Sequence, residues 1–426
     1  MQRYSQLFGK TRKTTKEFDS NNATLLIKAG FIDMEMAGVY TLLPLGHRVY
    51  KKIEQIIREE MDKVANELFM PVLQPIESWE QTNRFDSVDI LMKATGANEP
   101  SKLQNDSEYV IGSTAEEIVT PVAMRHNLSY KDFPFAVYQF QNKFRNEARP
   151  KSGLLRGREF MMKDGYSFHV SEEDLLEYYD NMKQVYANIF ERIGIGDITV
   201  IALASGGDFT DEFSHEFQTK TKVGEDTLFE DPETGVVYNK EVAPSQAPAF
   251  DNSDEELKER KDVLGEGIIG VEALAEFLNI EVERTTKTIL FETTSGKKRV
   301  IAAAVRGDYD INQEKLGKVI GTRDFTLASA ETVNRVTGAD VGYAGLIDLP
   351  EEVEIFIDDS MQGRKNFEMG ANKTNYHSVN VNFDRDIATP DKFYDFKEAK
   401  AGDLNPETGR QFEVYAAAEV GNIFPL

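Results

Sequence analysis

The chain has 426 residues, of which 40% are apolar and 29% charged, with no cysteine and a formal charge of -24. That composition excludes a disordered or fibrous chain, disulfides, thiolate catalysis and cysteine-bound zinc, and the length asks for at least two cores. The acidity disfavours a nucleic-acid partner unless Lys and Arg are concentrated locally, because net charge describes the whole surface and not one groove.

The opening residues MQRYSQLFGKTRKTTKEFD hold no apolar signal core, and nowhere do about 18 apolar residues run together. Neither secretion, a membrane partner nor a DNA partner is expected, and the cytoplasm is the expected setting. From Pro44, the spacing of Val49, Ile53, Ile56, Ile57, Met61 and Val64 predicts an amphipathic helix, followed by a strand over Leu68 to Leu73. Strands are predicted around Tyr109 to Gly112, Ala136 to Arg145 and Glu159 to Phe168, giving a largely antiparallel sheet. Ser171 with Asp174 three residues on announces a second helix, with Leu175, Tyr178, Met182, Val185, Ile189 and Ile193 on one face and a stop near Gly194. This first part is of the α+β type. It has no GxxxxGK[ST] or GxGxxG run, so a nucleotide site would have to be built from side chains.

From about Lys222 the texture changes, and EVAPSQAPAFDNSDEELKERKD predicts a solvated connector. Beyond it, a helix at Val271 to Leu278, strands at Thr288 to Phe291 and Val300 to Val305, a helix at Gln313 to Ile320, and strands at Val353 to Ile357 and His377 to Phe383 predict a compact α/β unit. No internal repeat is evident.

The most informative segment is FRNEARPKSGLLRGREFMMKDGYSF, residues 144 to 168, a hairpin carrying Arg145, Arg149, Lys151, Arg156 and Arg158. Alternation along a strand puts Arg145 and Glu147 on one face, with Phe144 and Asn146 on the other. Arg156 and Phe160, four apart on the return strand, also share a face. An arginine so placed holds phosphate in a fork, and an aromatic ring lies against a purine. The same spacing suits a solvated face or a nonspecific RNA patch, and both readings stay open on spacing alone.

That run resembles motif 2 of the class II aminoacyl-tRNA synthetases, and its context QNKFRNEARPKSGLLRGREFMMKDGYSFH is similar to the bacterial-type prolyl-tRNA synthetases. The resemblance implies ATP as substrate with Mg2+, Arg145 at the α-phosphate and proline carboxylate, Glu147 and Phe160 at the adenine, and Arg156 at the outer phosphates. AGVYTLLPLGHRVYKKIEQIIREEM with ELFMPVLQP resembles motif 1, with Pro71 as its proline, and implies a homodimer. An ordinary helix packed on its own sheet has the same periodicity. IGSTAEEIVTP resembles the amino-acid loop, in which Thr114 and Glu116 receive the proline imino group. Here a helix capping box, Thr114 with Glu117 or Ser113 with Glu116, is the competing reading. Ser113 stands where the family more usually has proline. SGGDFTDEFSHEF resembles a strand turn lining the proline pocket and implies His215 as a wall, although a lone histidine is more often structural.

Residues 225–387 resemble the editing insertion, an α/β domain that hydrolyses alanine mistakenly joined to tRNA(Pro). Pocket shape alone rejects a smaller apolar amino acid weakly, so a second sieve is physically sensible. TTKTILF, AAAVRGDYDIN, VGYAGL, IDDSM and GANKTNYHSVNVNFDRD carry the resemblance. It implies Lys287 near the terminal tRNA phosphate, Gly345 and Asp358 around the alanyl group, and His377 in the pocket. A solvated strand lysine and a core histidine are the competing readings, and the proline usual after this glycine is missing from VGYAGLIDL.

The expected plan is thus a class II catalytic core over 1–224, the insertion over 225–387, and a return over 388–426. In the return, AAAEVGNIFPL implies Glu419 as a contributor to ATP-bound magnesium; no metal is expected from the protein alone. The family continues with a motif 3 helix and an anticodon-binding domain, so the sequence ending at Leu426 is expected to be a fragment or one part of a split enzyme. The implied activity is ATP-dependent joining of proline to tRNA(Pro) with editing. An editing-only deacylase and a noncatalytic tRNA-binding fragment are the alternatives.

Overall fold

A computed structural model describes residues 3–13, 18, 20–126, 129–150, 153–206, 213–250, 252 and 254–426. The first long helix, Pro44–Met61, starts with proline in its first turn, where the missing N–H costs no hydrogen bond. Its expected apolar face is only partly used. Met61 is buried, but Val49 is 45% exposed, and the carboxylates Glu54 and Glu60 are drawn in by Lys51 and Arg58, and by Lys63 and Arg192. The strand expected over 68–73 is reduced to two short pieces, Asn66–Glu67 and Leu73–Gln74, each pairing with a different sheet.

The motif 2 hairpin forms as its alternation predicts, with Phe135–Phe144 antiparallel to Glu159–Phe168 over ten residue pairs. The helix after it runs Glu172–Ile193. The Ser171 side chain accepts from the Asp174 amide, and Gly194 closes the helix in the left-handed conformation at φ 93°. Met182, Val185, Ile189 and Phe190 from this helix pack with Met61, Tyr138 and Phe217, so the helix rests on the outer face of the next strands.

Those strands close a five-stranded barrel in the order Phe213–Lys220, Glu413–Ile423, Asp226–Glu230, Val237–Asn239, Thr199–Ser205. Small side chains such as Ala202 and Ala417 fill its interior with Leu228 and Val237. The expected boundary at 225 falls inside this barrel, since strands 226–230 and 237–239 pair with strands 413–423 and 199–205.

The stretch read as a solvated connector is instead fastened down. Ala243 and Ser245 are fully buried, Ser245 N donates to Asp395, and Lys261–Leu264 adds a strand to Tyr376–Val381. Its alanines and serine are small enough to lie under the returning chain. Beyond it a four-stranded sheet has the order Phe325–Leu327, Thr286–Thr293, Val300–Arg306, Val353–Ile357, with only the last pair parallel. One face buries Leu290, Ala302 and Ala304 against Val333, Met361 and Met369. The other buries Phe291, Ile301 and Ala303 against Leu316, Ile320 and Phe396. The helices Val271–Leu278 and Gln313–Ile320 lie where the periodicity put them. Strand Phe367–Gly370 and helix Ala330–Thr337 were not anticipated. Among the described residues, no helix is long and apolar enough to cross a membrane.

Candidate active site and editing unit

Arg145 follows the last residue of strand Phe135–Phe144, and its amide donates to Arg158 O at 2.9 Å across the hairpin. Its guanidinium lies over the Phe160 ring at 5.3 Å. Burial lowers the guanidinium pKa, while the carboxylates of Glu419, Glu147 and Glu116 pull it back up. Arg145 Nε is buried and makes no hydrogen bond within the protein. Arg145 and Glu147 do share a site, but through a tight turn in which Glu147 N donates to Arg145 O at 2.8 Å, and not through continued strand alternation. Arg156 is half exposed and bonds Glu147 at 2.9 Å and Glu225 at 3.2 Å. Arg149 is exposed, and Lys151 lies outside the described residues.

The amino-acid loop lies beside the same strand, with Phe144 N donating to Gly112 O at 3.2 Å, and its Glu116 acts on the Arg145 charge. Thr114 is buried, Glu116 begins the helix Glu116–His126, and Arg84 Nη1 donates to Glu116 at 3.4 Å and Glu117 at 2.8 Å. The buried hydroxyl oxygens of Ser113 and Thr114 make no hydrogen bond. Neither capping box therefore forms, and both hydroxyls remain able to bond something that enters the site. Burial raises the Glu117 pKa.

The barrel supplies a group of carboxylates. Glu216 is buried and accepts from Gln218 and Asn239, both at 2.8 Å, while Gln218 also donates to Asp226 at 2.8 Å. Glu419 pairs in register with Gln218. Glu419 keeps solvent-exposed surface, while protein packed about its carboxyl desolvates it. That desolvation, with Glu216 and Asp226 adding repulsion against the pull of Arg145, pushes its pKa up to about 7. Among the described residues, no group of three or more His, Asp or Glu side chains is arranged to hold a metal ion unaided. Glu216, Asp226 and Gln218 were missed from sequence because their convergence depends on barrel closure.

His215 lies on the same barrel strand, Phe213–Lys220. Alternation on its strand turns Glu216 and Gln218 inward and His215 outward, where Nδ1 meets Tyr179 Oη at 2.8 Å and the two rings pack edge to face. Burial, reinforced by Lys183, lowers its pKa to about 4. Through Tyr179 it contacts the Glu172–Ile193 helix. Residues 207–212 of the expected pocket turn lie outside the described residues.

In the insertion the structure unites two of the four expected residues. Gly345 N donates to Asn372 Oδ1 at 2.7 Å, and a Cβ at Gly345 would come within 1.9 Å of Gly370 O, so only glycine permits this approach. Gly370 pairs with His377, whose buried ring meets Glu368 at 3.2 Å, Ile268 O at 3.2 Å and the Tyr343 ring. The other two expected residues, Lys287 and Asp358, have partners of their own. Lys287 shares the sheet face of Ile289 and Phe291, opposite Thr286 and Leu290, and pairs with Asp310. Asp358 is fully buried and accepts from the amides of Ser360, Phe396 and Lys397, each at 2.9 Å.

Residues 266–387 match the aminoacyl-tRNA editing domain. A proline–tRNA ligase of Geobacillus kaustophilus is 39% identical over 100% of this chain and 73% of its own length. That of Aquifex aeolicus is 36% identical over 100% and 72%. A prolyl-tRNA synthetase structure from Cryptosporidium parvum, complexed with halofuginone and AMPPNP, covers 47% of this chain and 40% of its own at 19% identity, with a TM-score of 0.41. Matched from end to end by relatives well above 30% identity, and holding the editing domain within it, this chain belongs to the proline–tRNA ligase family, class II aminoacyl-tRNA synthetases.

Proposed function

We propose that this chain activates proline with ATP, joins it to tRNA(Pro), and removes mischarged alanine in its insertion. The observation that carries the reading is a buried Arg145 whose charge is offset by Glu419 of the barrel, Glu147 of the hairpin and Glu116 of the amino-acid loop. In activation, a proline carboxylate oxygen attacks the α-phosphorus, the bond to the β-phosphate bridge oxygen breaks, and pyrophosphate leaves. Arg145 neutralises charge on the α-phosphate and carboxylate, a role for a fixed, partly desolvated cation. Phe160 and Glu147 locate the adenine. Arg156 leaves its carboxylate partners to meet the outer phosphates, and the Thr114 hydroxyl with Glu116 accepts from the proline ammonium.

The donors around Glu419 are all oxygens, including a buried Gln218 Oε1 with no partner, which suits a hard cation. Glu419 and Gln218 would hold Mg2+ bound with ATP, which would supply positive charge to the phosphates. In editing, the alanyl ester lies against the Gly345 loop near His377, and water cleaves the bond between the ester carbonyl and the ribose oxygen. The domain plan follows strand pairing, with an editing unit whose core runs from Lys261 to Val381. A homodimer through the 44–74 segment and a cytoplasmic setting complete the proposal.

Proline-dependent exchange of pyrophosphate into ATP tests it. Arg145→Ala should lower exchange by roughly 100-fold or more with the fold retained. An unchanged rate would sink the assignment.

A further inference from the structure

Behind the amino-acid loop lies a buried polar relay that the reaction scheme above does not use. Lys143 has no exposed surface, and its ammonium donates to Asp164 Oδ2 and Gln141 Oε1, both at 3.1 Å. The same Asp164 oxygen accepts from Gln139 Nε2 at 2.9 Å and from Tyr166 Oη at 3.0 Å. Tyr166 Oη in turn accepts from the Ala115 amide at 3.1 Å. From the other side of the loop, Gln74 Nε2 donates to Thr114 O at 2.8 Å while Gln74 Oε1 accepts from Trp79 Nε1 at 2.8 Å. The Thr114–Ala115 peptide is therefore gripped at both polar ends, by side chains from two different sheets.

Two features set this relay apart from ordinary core packing. A fully buried ammonium is costly unless it answers a carboxylate, and Asp164 is its one anionic partner. Tyr166 stays protonated, since burial and then the negative charges of Glu116 and Asp164 push its hydroxyl far above the usual range. It must therefore give its proton to Asp164, which leaves its lone pair facing Ala115 N.

Resting on the proline reading above, we propose that Tyr166 is a positioning residue for proline affinity, oriented by the Lys143–Asp164 pair, and that it sets where the Thr114 hydroxyl and Glu116 carboxylate stand. Among the described residues, none of the relay's side-chain hydrogen bonds ends on the nucleotide residues Phe160 and Glu147 or on the barrel carboxylates, and Lys143 meets Phe160 only as its backbone partner across the hairpin. Its loss should thus fall on the amino acid and spare ATP.

Isothermal titration of L-proline and, separately, of AMPPNP into the full chain tests this. Tyr166→Phe removes one hydroxyl and keeps the ring, so the fold should hold. Proline affinity should fall roughly tenfold, on the scale of one buried hydrogen bond, with AMPPNP affinity within twofold. Lys143→Met should move proline affinity in the same direction, because Asp164 loses its cation. Tyr166→Phe binding proline as the parent chain does, or losing both ligands in parallel, overturns the inference. A parent chain that binds AMPPNP but no L-proline overturns the proline reading itself, a result distinct from either variant outcome.

Discussion

At the residue scale, the charge on Glu419 is the most informative quantity. Its folded pKa of about 7 lies above its ordinary value of 4.5, so the folded chain holds a proton that the unfolded chain releases between those limits. Stability therefore declines as pH rises from 4.5 to 7 and is level above. Glu419→Gln should be indistinguishable from the parent near pH 4.5 and more stable at pH 8, by on the order of 1 kcal/mol once solvent access to the cleft is allowed for. Denaturant midpoints at the two pH values check this, and an equal midpoint at pH 8 would refute it. ATP with Mg2+ should bind the parent with release of a proton near pH 7, measurable as a dependence of binding heat on buffer ionisation, and the release should vanish in Glu419→Gln.

At the scale of elements, the sequence was legible wherever one element carried its own signal. The Glu172–Ile193 helix has its serine cap, its apolar stripe and its terminal glycine within a short stretch, and the hairpin has unbroken alternation. Lys287 and His215 share a lesson: motif resemblance names a residue, but only strand pairing decides which face it takes. Barrel closure was hidden because strands 226–230 and 237–239 find partners near residue 415. One local clue was overlooked. The turns DPETG at 231–235 and NPETG at 405–409 share their last four residues and meet in space. Burial works against the Asp231 charge, but Thr408 Oγ1 and Asn405 Nδ2, each at 2.6 Å, with the amides of Thr234 and Glu233, hold its pKa well below the carboxylate range. This turn pair clamps both ends of the barrel path, the second just before the strand that bears Glu419. Asp231→Ala should cost about 2–3 kcal/mol, the scale of charged hydrogen bonds lost on burial. It should also weaken ATP binding indirectly, whereas Thr234→Ala, which keeps the carboxylate, should do much less of both. Equal effects of the two substitutions would remove the clamp from the argument.

At the scale of the molecule, the question is how the editing insertion is tied to the barrel, and one lysine answers most of it. Lys397 has no exposed surface and joins the outgoing chain at Ser245 O, the insertion at Asp359, and the returning chain at Asp395. Lys315, from a helix of the insertion, bonds the same Asp395 at 3.0 Å. Burial is the main cause that pushes Asp359 up to about 7, with Asp358 adding to it and Lys397 opposing. Removing the lysine leaves Asp358, Asp359 and Asp395 close together with the cation between them gone. Breaking a buried pair in this way costs about 3–5 kcal/mol, so Lys397→Met should be among the most damaging single changes outside the active site. The sign of its pH dependence follows from the same charges. With the lysine absent the folded pKa of Asp359 rises further, so the deficit is smallest below its ordinary value of 3.8, where Asp359 is largely protonated in both states. It grows as pH rises, because ionisation then favours the unfolded chain. Limited proteolysis at pH 6 and pH 8 should open the 241–262 segment faster in the variant than in the parent, with the larger ratio at pH 8. Proline activation and hydrolysis of Ala-tRNA(Pro) should decline together, since the lysine serves the junction and neither site alone. A variant that kept one activity while losing the other would instead place Lys397 within a single unit, and the insertion would then be held to the barrel by strand 413–423 and its neighbours.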